Sequence, residues 1–183
     1  MIKSIITSKT RDYYSMLQHT INELDKDKLD IVGNILYKAK LEGSSIFLMG
    51  NGGSASTCNH MCNDFMKISG LKVFSLVNVP VITAYANDIS YDSIFVEQLK
   101  TVLSPRDIVI GISGSGNSVN VLEGLRYANT HGGITIGLLG FDGGKAKDIA
   151  KYVVLVKSKD YGIIEDLHLS FGHYLSKKIL DKK

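Results

Sequence analysis

Cysteine is scarce. Cys58 and Cys62 are the only two in 183 residues, which excludes a disulfide framework. Four apart on one expected helix, they read as small apolar filler on its packed face. No apolar stretch is long enough to span a bilayer, so no membrane partner is expected. Nor does one sign of charge dominate. The 21 Lys and Arg against 18 Asp and Glu leave +3 at pH 7, too little to argue for nucleic acid. The basic residues are dispersed, apart from Lys177-Lys178 and Lys182-Lys183, which read as a solvated helix end. The start, Met1-Ile2-Lys3-Ser4-Ile5-Ile6, lacks the long apolar region and cleavage site of a signal peptide. Internal linkers, low-complexity stretches and repeats are missing as well. What remains is a chain with 44% hydrophobic and 21% charged residues, sized for one domain with a substantial core and expected in the cytoplasm.

Glycine and serine, by contrast, are concentrated in two places. The first is Met49-Gly50-Asn51-Gly52-Gly53-Ser54-Ala55-Ser56. A short apolar run, residues 45–49, reads as a buried strand before it, and residues 57–66 read as a helix after it. The glycines permit positive φ and let the backbone approach a ligand. Free N–H groups and the dipole at a helix start favour negative charge, and Ser54 and Ser56 add hydroxyl donors. The second place is Ser113-Gly114-Ser115-Gly116-Asn117-Ser118, between an apolar strand at 107–112 and a helix that begins at Val119. Neither loop carries the Gly-Lys-Ser/Thr of a Walker A motif or the Gly-x-Gly-x-x-Gly of a dinucleotide site. One such loop alone would be an ordinary strand-to-helix turn. Two, each after a β run and each rich in hydroxyls, read as a phosphate cradle.

The rest of the chain alternates helices and strands. Tyr13, Tyr14, Leu17, Ile21 and Leu24 recur at helical spacing over 7–24. Asp25 can cap a second helix, 26–41, with Leu29, Val32, Ile35, Leu36 and Ala39 on one face, and Gly43 ends it. Beyond the first loop the pattern predicts a strand at 72–76, a short helix opened by Pro80 and running to 86, and a turn at Asn87-Asp88. A helix at 91–103 follows, stopped by Ser104-Pro105. Past the second loop come a helix at 119–130, a strand at 134–139, and the turn Gly140-Phe141-Asp142-Gly143-Gly144. A short helix at 145–150, a strand at 152–156 and a long helix at 163–180 complete the chain. This is an α/β pattern: a five-stranded parallel sheet with helices on both faces and right-handed crossovers. Such sheets bind ligands at the carboxyl ends of strands, where the strand order reverses. Both serine loops lie at strand ends, so they can converge on one phosphate.

Four residues could do chemistry. His60 and Asp64 are four apart on the helix after the first loop, hence on one face. Glu165 and His173 lie on the C-terminal helix, with Asp166 and His168 between them. Two turns separate Glu165 from His173, so the pair meets one centre only if the helix passes beside it. Two imidazoles and two carboxylates would suit zinc or a similar divalent ion, or an acid–base set. The alternative is scattered surface polar residues.

With these motifs in hand, the chain resembles the sugar isomerase (SIS) family, and within it the subgroup that isomerises phosphorylated heptoses. The resemblance rests on Gly50 to Ser54, His60 to Asp64, Ala86-Asn87-Asp88, Ile112 to Ser118, Gly140 to Gly144 and Glu165 to His173. It implies a doubly wound, flavodoxin-like fold in one domain over 1–183, with leading helices (1–43) used in packing and oligomerisation and an α/β core (44–183). It also implies a homotetramer with active sites at subunit interfaces. Ser54, Ser113, Ser115 and Ser118 would hold the phosphate, with Gly52, Gly53 and Gly114 in the same loops. Asn51 and Asn117 would shape the loops or contact the sugar, and Asn87, Asp88 and Glu165 would face the substrate. The family's metal ligands fall on His60, Asp64, Glu165 and His173, with zinc the expected ion. Its proton-transfer pair falls on Asp64 and His173. The implied reaction is an aldose–ketose isomerisation of sedoheptulose 7-phosphate through an ene-diol. A non-catalytic scaffold of the same family, or an isomerase of another sugar phosphate, is the rival reading. The chain departs from the family at Asp64 (Glu), Glu165 (Gln), Gly114 (Thr), Gly162 (Asp) and Ile68 (Arg).

Overall fold

The computed structural model describes residues 8–182. The expectations for Met1 to Thr7, and for Lys183, fall outside them. Five parallel strands form one sheet in the order β2-β1-β3-β4-β5. They are β1 (Ile46–Gly50), β2 (Val73–Ser75), β3 (Ile108–Ser113), β4 (Ile134–Leu139) and β5 (Tyr152–Leu155). β1 pairs β3 from Ile46↔Ile108 to Gly50↔Ile112, and β3 pairs β4 from Ile108↔Ile134 to Ser113↔Leu139. Every residue of β1 and β3 is buried, as helices on both faces require of a central strand. β2 is short and lies at the edge, and its Phe74 is exposed.

The helices are α1 (Ser8–Asn22), α2 (Lys26–Glu42), α3 (Gly53–Lys67), α4 (Val79–Asp88), α5 (Ile94–Val102), α6 (Val119–Thr130), α7 (Ala146–Ile149) and α8 (Tyr161–Leu180). α2, α3 and α8 pack together in one layer, and α5, α6 and α7 form the other. Met49 on β1 reaches α6 at Gly124, while the core on the other side includes Phe65, Phe171 and Leu175. α1 joins α8 where the Tyr13 hydroxyl donates to Asp166 Oδ2 at 2.6 Å, a bond that raises the Tyr13 pKa to about 12.

Several boundaries differ from the sequence pattern, each for a local reason. α3 begins at Gly53 and not at 57, because Gly52 takes the turn at φ 54, ψ −123, a region that L side chains avoid. α8 begins at Tyr161 because Asp160 caps it, accepting from the N–H groups of Gly162 and Ile163. Asn87 and Asp88 are the last residues of α4 and not a separate turn. Ser90 caps a 3-10 turn, Tyr91–Ser93, before α5 begins. Asp25 does cap α2, and Gly43 ends it in the left-handed region.

The strand order reverses between β1 and β3. From β1 the chain steps to β2 on one side, then crosses to β3 on the other and continues outward. The two serine loops follow these two adjacent strands. The topology therefore brings them to one crevice, where open α/β sheets bind their ligands.

Candidate active site

The crevice is a cleft of about 230 Å³ lined by Asn51 to Ser54, by Ile112 to Ser115, and by Ser118, Tyr161 and Glu165. The second loop is held by its own side chains. Ser113 Oγ accepts from Gly116 N–H at 3.1 Å and lies 3.4 Å from Ser118 Oγ. Asn117 donates to the Ser115 carbonyl at 3.0 Å and accepts from Lys145 N–H at 3.1 Å. It ties the loop to the turn before α7 and does not line the cleft. Ser56 is exposed and also lies outside the cleft lining.

Below the cleft, α3 and α8 run side by side in the same direction. Glu165 lies against Gly53, Gly172 against Met61, His173 against Asp64, and Ser69 donates to the Ser176 carbonyl. Gly172 permits the approach: a Cβ there would sit 2.6 Å from Met61 Cγ. Asp64 is buried at 7% exposure. Its Oδ2 lies 2.9 Å from His173 Nδ1 and 3.5 Å from His60 Nε2. The two imidazoles meet edge to face with centroids 4.9 Å apart. Among the described residues, one ligand atom from each of His60, Asp64 and His173 falls within 4.8 Å of the others, close enough to hold one cation. The helix spacing thus brings together three of the four residues expected at a metal.

The fourth does not join them. Glu165 is eight residues before His173, which is about 12 Å along a helix. Its carboxylate sits at the start of α3, where a Cβ on residue 53 would overlap it. It belongs to the cleft and not to the cation cluster. Asn87 and Asp88 also lie apart from the cleft, joined to each other by a 2.8 Å bond from Asn87 Nδ2 to Asp88 Oδ1.

Three cleft-side residues gave no signal in the sequence. Tyr161 packs its ring on Gly114, with Cε1 2.8 Å from where a Cβ would stand. The ring fills the volume of the Thr that the resemblance led us to expect there. Asn120, 1% exposed, hydrogen-bonds to Asn51, and so does the Tyr91 hydroxyl. One residue that the sequence did point to, His168, is fully buried with neither ring nitrogen hydrogen-bonded. Burial lowers its pKa to about 4, so it is a neutral core residue.

The profile of the SIS domain family matches residues 11–140. The chain belongs to the SIS domain family. Similar curated members include the phosphoheptose isomerases of Geobacter metallireducens, 33% identical over 92% of this chain and 92% of its own length, and of Trichlorobacter lovleyi, 32% identical over 95% and 91%. Among solved SIS structures, the phosphoheptose isomerase GmhA from Neisseria gonorrhoeae superposes with a TM-score of 0.89 at 25% identity, covering 96% of this chain and 98% of that one.

Proposed function

We propose that this SIS domain, residues 1–183 acting as one unit, is a phosphoheptose isomerase that converts sedoheptulose 7-phosphate to an aldoheptose 7-phosphate in the cytoplasm. The observation that carries this reading is the Asp64–His173–His60 cluster on the same helix pair whose other end opens the serine cleft. Ser54, Ser113, Ser115 and Ser118 hold the phosphate with the N–H groups at the start of α3. The sugar then lies along the α3–α8 groove with its carbonyl end near Asp64. Asp64 takes the proton from the carbon beside the carbonyl, and the resulting ene-diol is reprotonated at the neighbouring carbon. His173 orients Asp64 through the 2.9 Å contact and serves as the partner acid for the sugar oxygens.

Two imidazoles and one carboxylate leave a fourth position open, the donor set of a catalytic zinc. His60, Asp64 and His173 would hold the ion. It would supply a Lewis acid that polarises the carbonyl. The same reading takes the working form as a homotetramer. It is supported by α4, which has no buried residue, and by Leu41 and Val79, which are 70% and 69% exposed.

The test is proton exchange in heavy water with sedoheptulose 7-phosphate. Wild-type protein should exchange the proton beside the carbonyl and form the aldose. Asp64→Asn and His173→Ala should each lose about 10²–10⁴-fold in turnover while still binding inorganic phosphate. Wild-type protein that neither exchanges nor converts the ketose would sink the proposal.

A further inference from the structure

A pair of amides joins the first serine loop to the start of α6, directly after the second loop. Asn51, at the tip of the first loop, donates from Nδ2 to Asn120 Oδ1 at 2.8 Å. Asn120, the second residue of α6, donates back from Nδ2 to Asn51 Oδ1 at 3.0 Å. Each oxygen accepts a second bond. Asn120 Oδ1 takes the Val121 N–H at 2.9 Å, and Asn51 Oδ1 takes the Tyr91 hydroxyl at 3.0 Å. An amide oxygen accepts two hydrogen bonds, so both are full. Asn120 is 1% exposed, and a buried amide that loses its partner carries the full desolvation penalty. These contacts therefore hold firmly, and they join three segments far apart in sequence: the loop after β1, the start of α6 after β3, and the 3-10 turn after α4.

We propose that Asn51, Asn120 and Tyr91 form a latch that fixes the spacing of the two phosphate loops, with Asn51 as its positioning residue. The role in phosphate binding rests on the function proposed above. The latch itself rests only on the hydrogen bonds. A cradle made of two loops binds a phosphate well only if both present their donors at one fixed distance, because ordering the loops would otherwise be charged to binding. The latch does that ordering in advance.

Two readouts separate these roles. In the first, inorganic phosphate affinity is measured by calorimetry, and KM and kcat are measured for sedoheptulose 7-phosphate. Asn51→Ala and Asn120→Ala should each weaken phosphate roughly tenfold, as expected for loss of the two amide–amide bonds that both variants remove. KM should rise by the same factor, with kcat within about twofold of wild type. Tyr91→Phe, an exposed single-atom change that leaves folding intact, should weaken both roughly two- to threefold. Wild-type phosphate affinity in Asn51→Ala, with KM raised for the sugar phosphate, would make Asn51 a sugar contact and overturn the latch. The second readout needs no ligand. Asn51→Ala should speed amide hydrogen exchange in the distant loop 113–118 at least severalfold. Unchanged exchange there would also overturn the latch, whether or not the protein isomerises anything. If the latch variants behave as expected but wild-type protein shows no turnover, the isomerase reading fails alone.

Discussion

His168 ties single-residue burial to a sign that can be measured. Its pKa falls from 6.5 to about 4 because burial disfavours the charged ring. The unfolded chain therefore takes up a proton at a pH where the folded chain refuses it. Stability is intact above pH 6.5 and declines as pH falls toward 4, by about 3 kcal/mol at the full shift. Urea unfolding at pH 7 and pH 4.5 should show this loss in wild type and much less of it in His168→Leu. Glu165 is the second residue with a consequence of its own. A carboxylate in a phosphate cleft repels the ligand, by about 1 kcal/mol at a few ångströms in a wet site. Glu165→Gln should therefore tighten phosphate binding on the order of fivefold and leave metal binding unchanged. A loss of metal on dialysis of that variant would place Glu165 at the cation after all. The types of these residues were legible in the sequence, but their positions were not. His168 and Glu165 are three apart, and only the packing of α8 turns one into the core and the other into the cleft.

The decisive element is the pair α3 and α8. Gly172 lets the helices meet, since a side chain there would press on Met61. Gly172→Val should separate them, cost about 1–3 kcal/mol through overpacking, and lengthen the Asp64–His173 contact. Turnover should fall more than phosphate affinity, which steady-state kinetics beside calorimetry would reveal. Sequence periodicity found both helices and put His60 and Asp64 on one face. It set the start of α3 at residue 57 because Gly and Ser read as loop. In the structure those residues form the first turn of α3 from Gly53 onward. Tyr161 stayed hidden for a similar reason: it sits directly after the Asp160 cap, where the pattern still read loop.

At the scale of the whole molecule, a parallel sheet covered on both faces was legible in the alternation of apolar strands with helices, and its doubly wound topology through the resemblance. The proposed tetramer came from the resemblance and from the apolar surface of the leading helices. The physical support comes from exposed apolar side chains, including Tyr14, Leu41, Val79, Ile89 and Phe74. Sedimentation at micromolar concentration should give a tetramer, and a monomer there would contradict the proposed assembly.

The parallel run of α3 and α8 has a further consequence, which concerns length. The cleft opens at Gly53 and the first imidazole stands at His60, seven residues on, or about 10 Å of helix rise. On the proposed function, a ligand anchored by its phosphate at one end would be measured against a fixed rod. A sugar phosphate too short to span it would be held by the serines with its carbonyl short of Asp64. It should act as an inhibitor that leaves unchanged, and the helix pair would then select substrates by counting carbons before any hydroxyl is recognised.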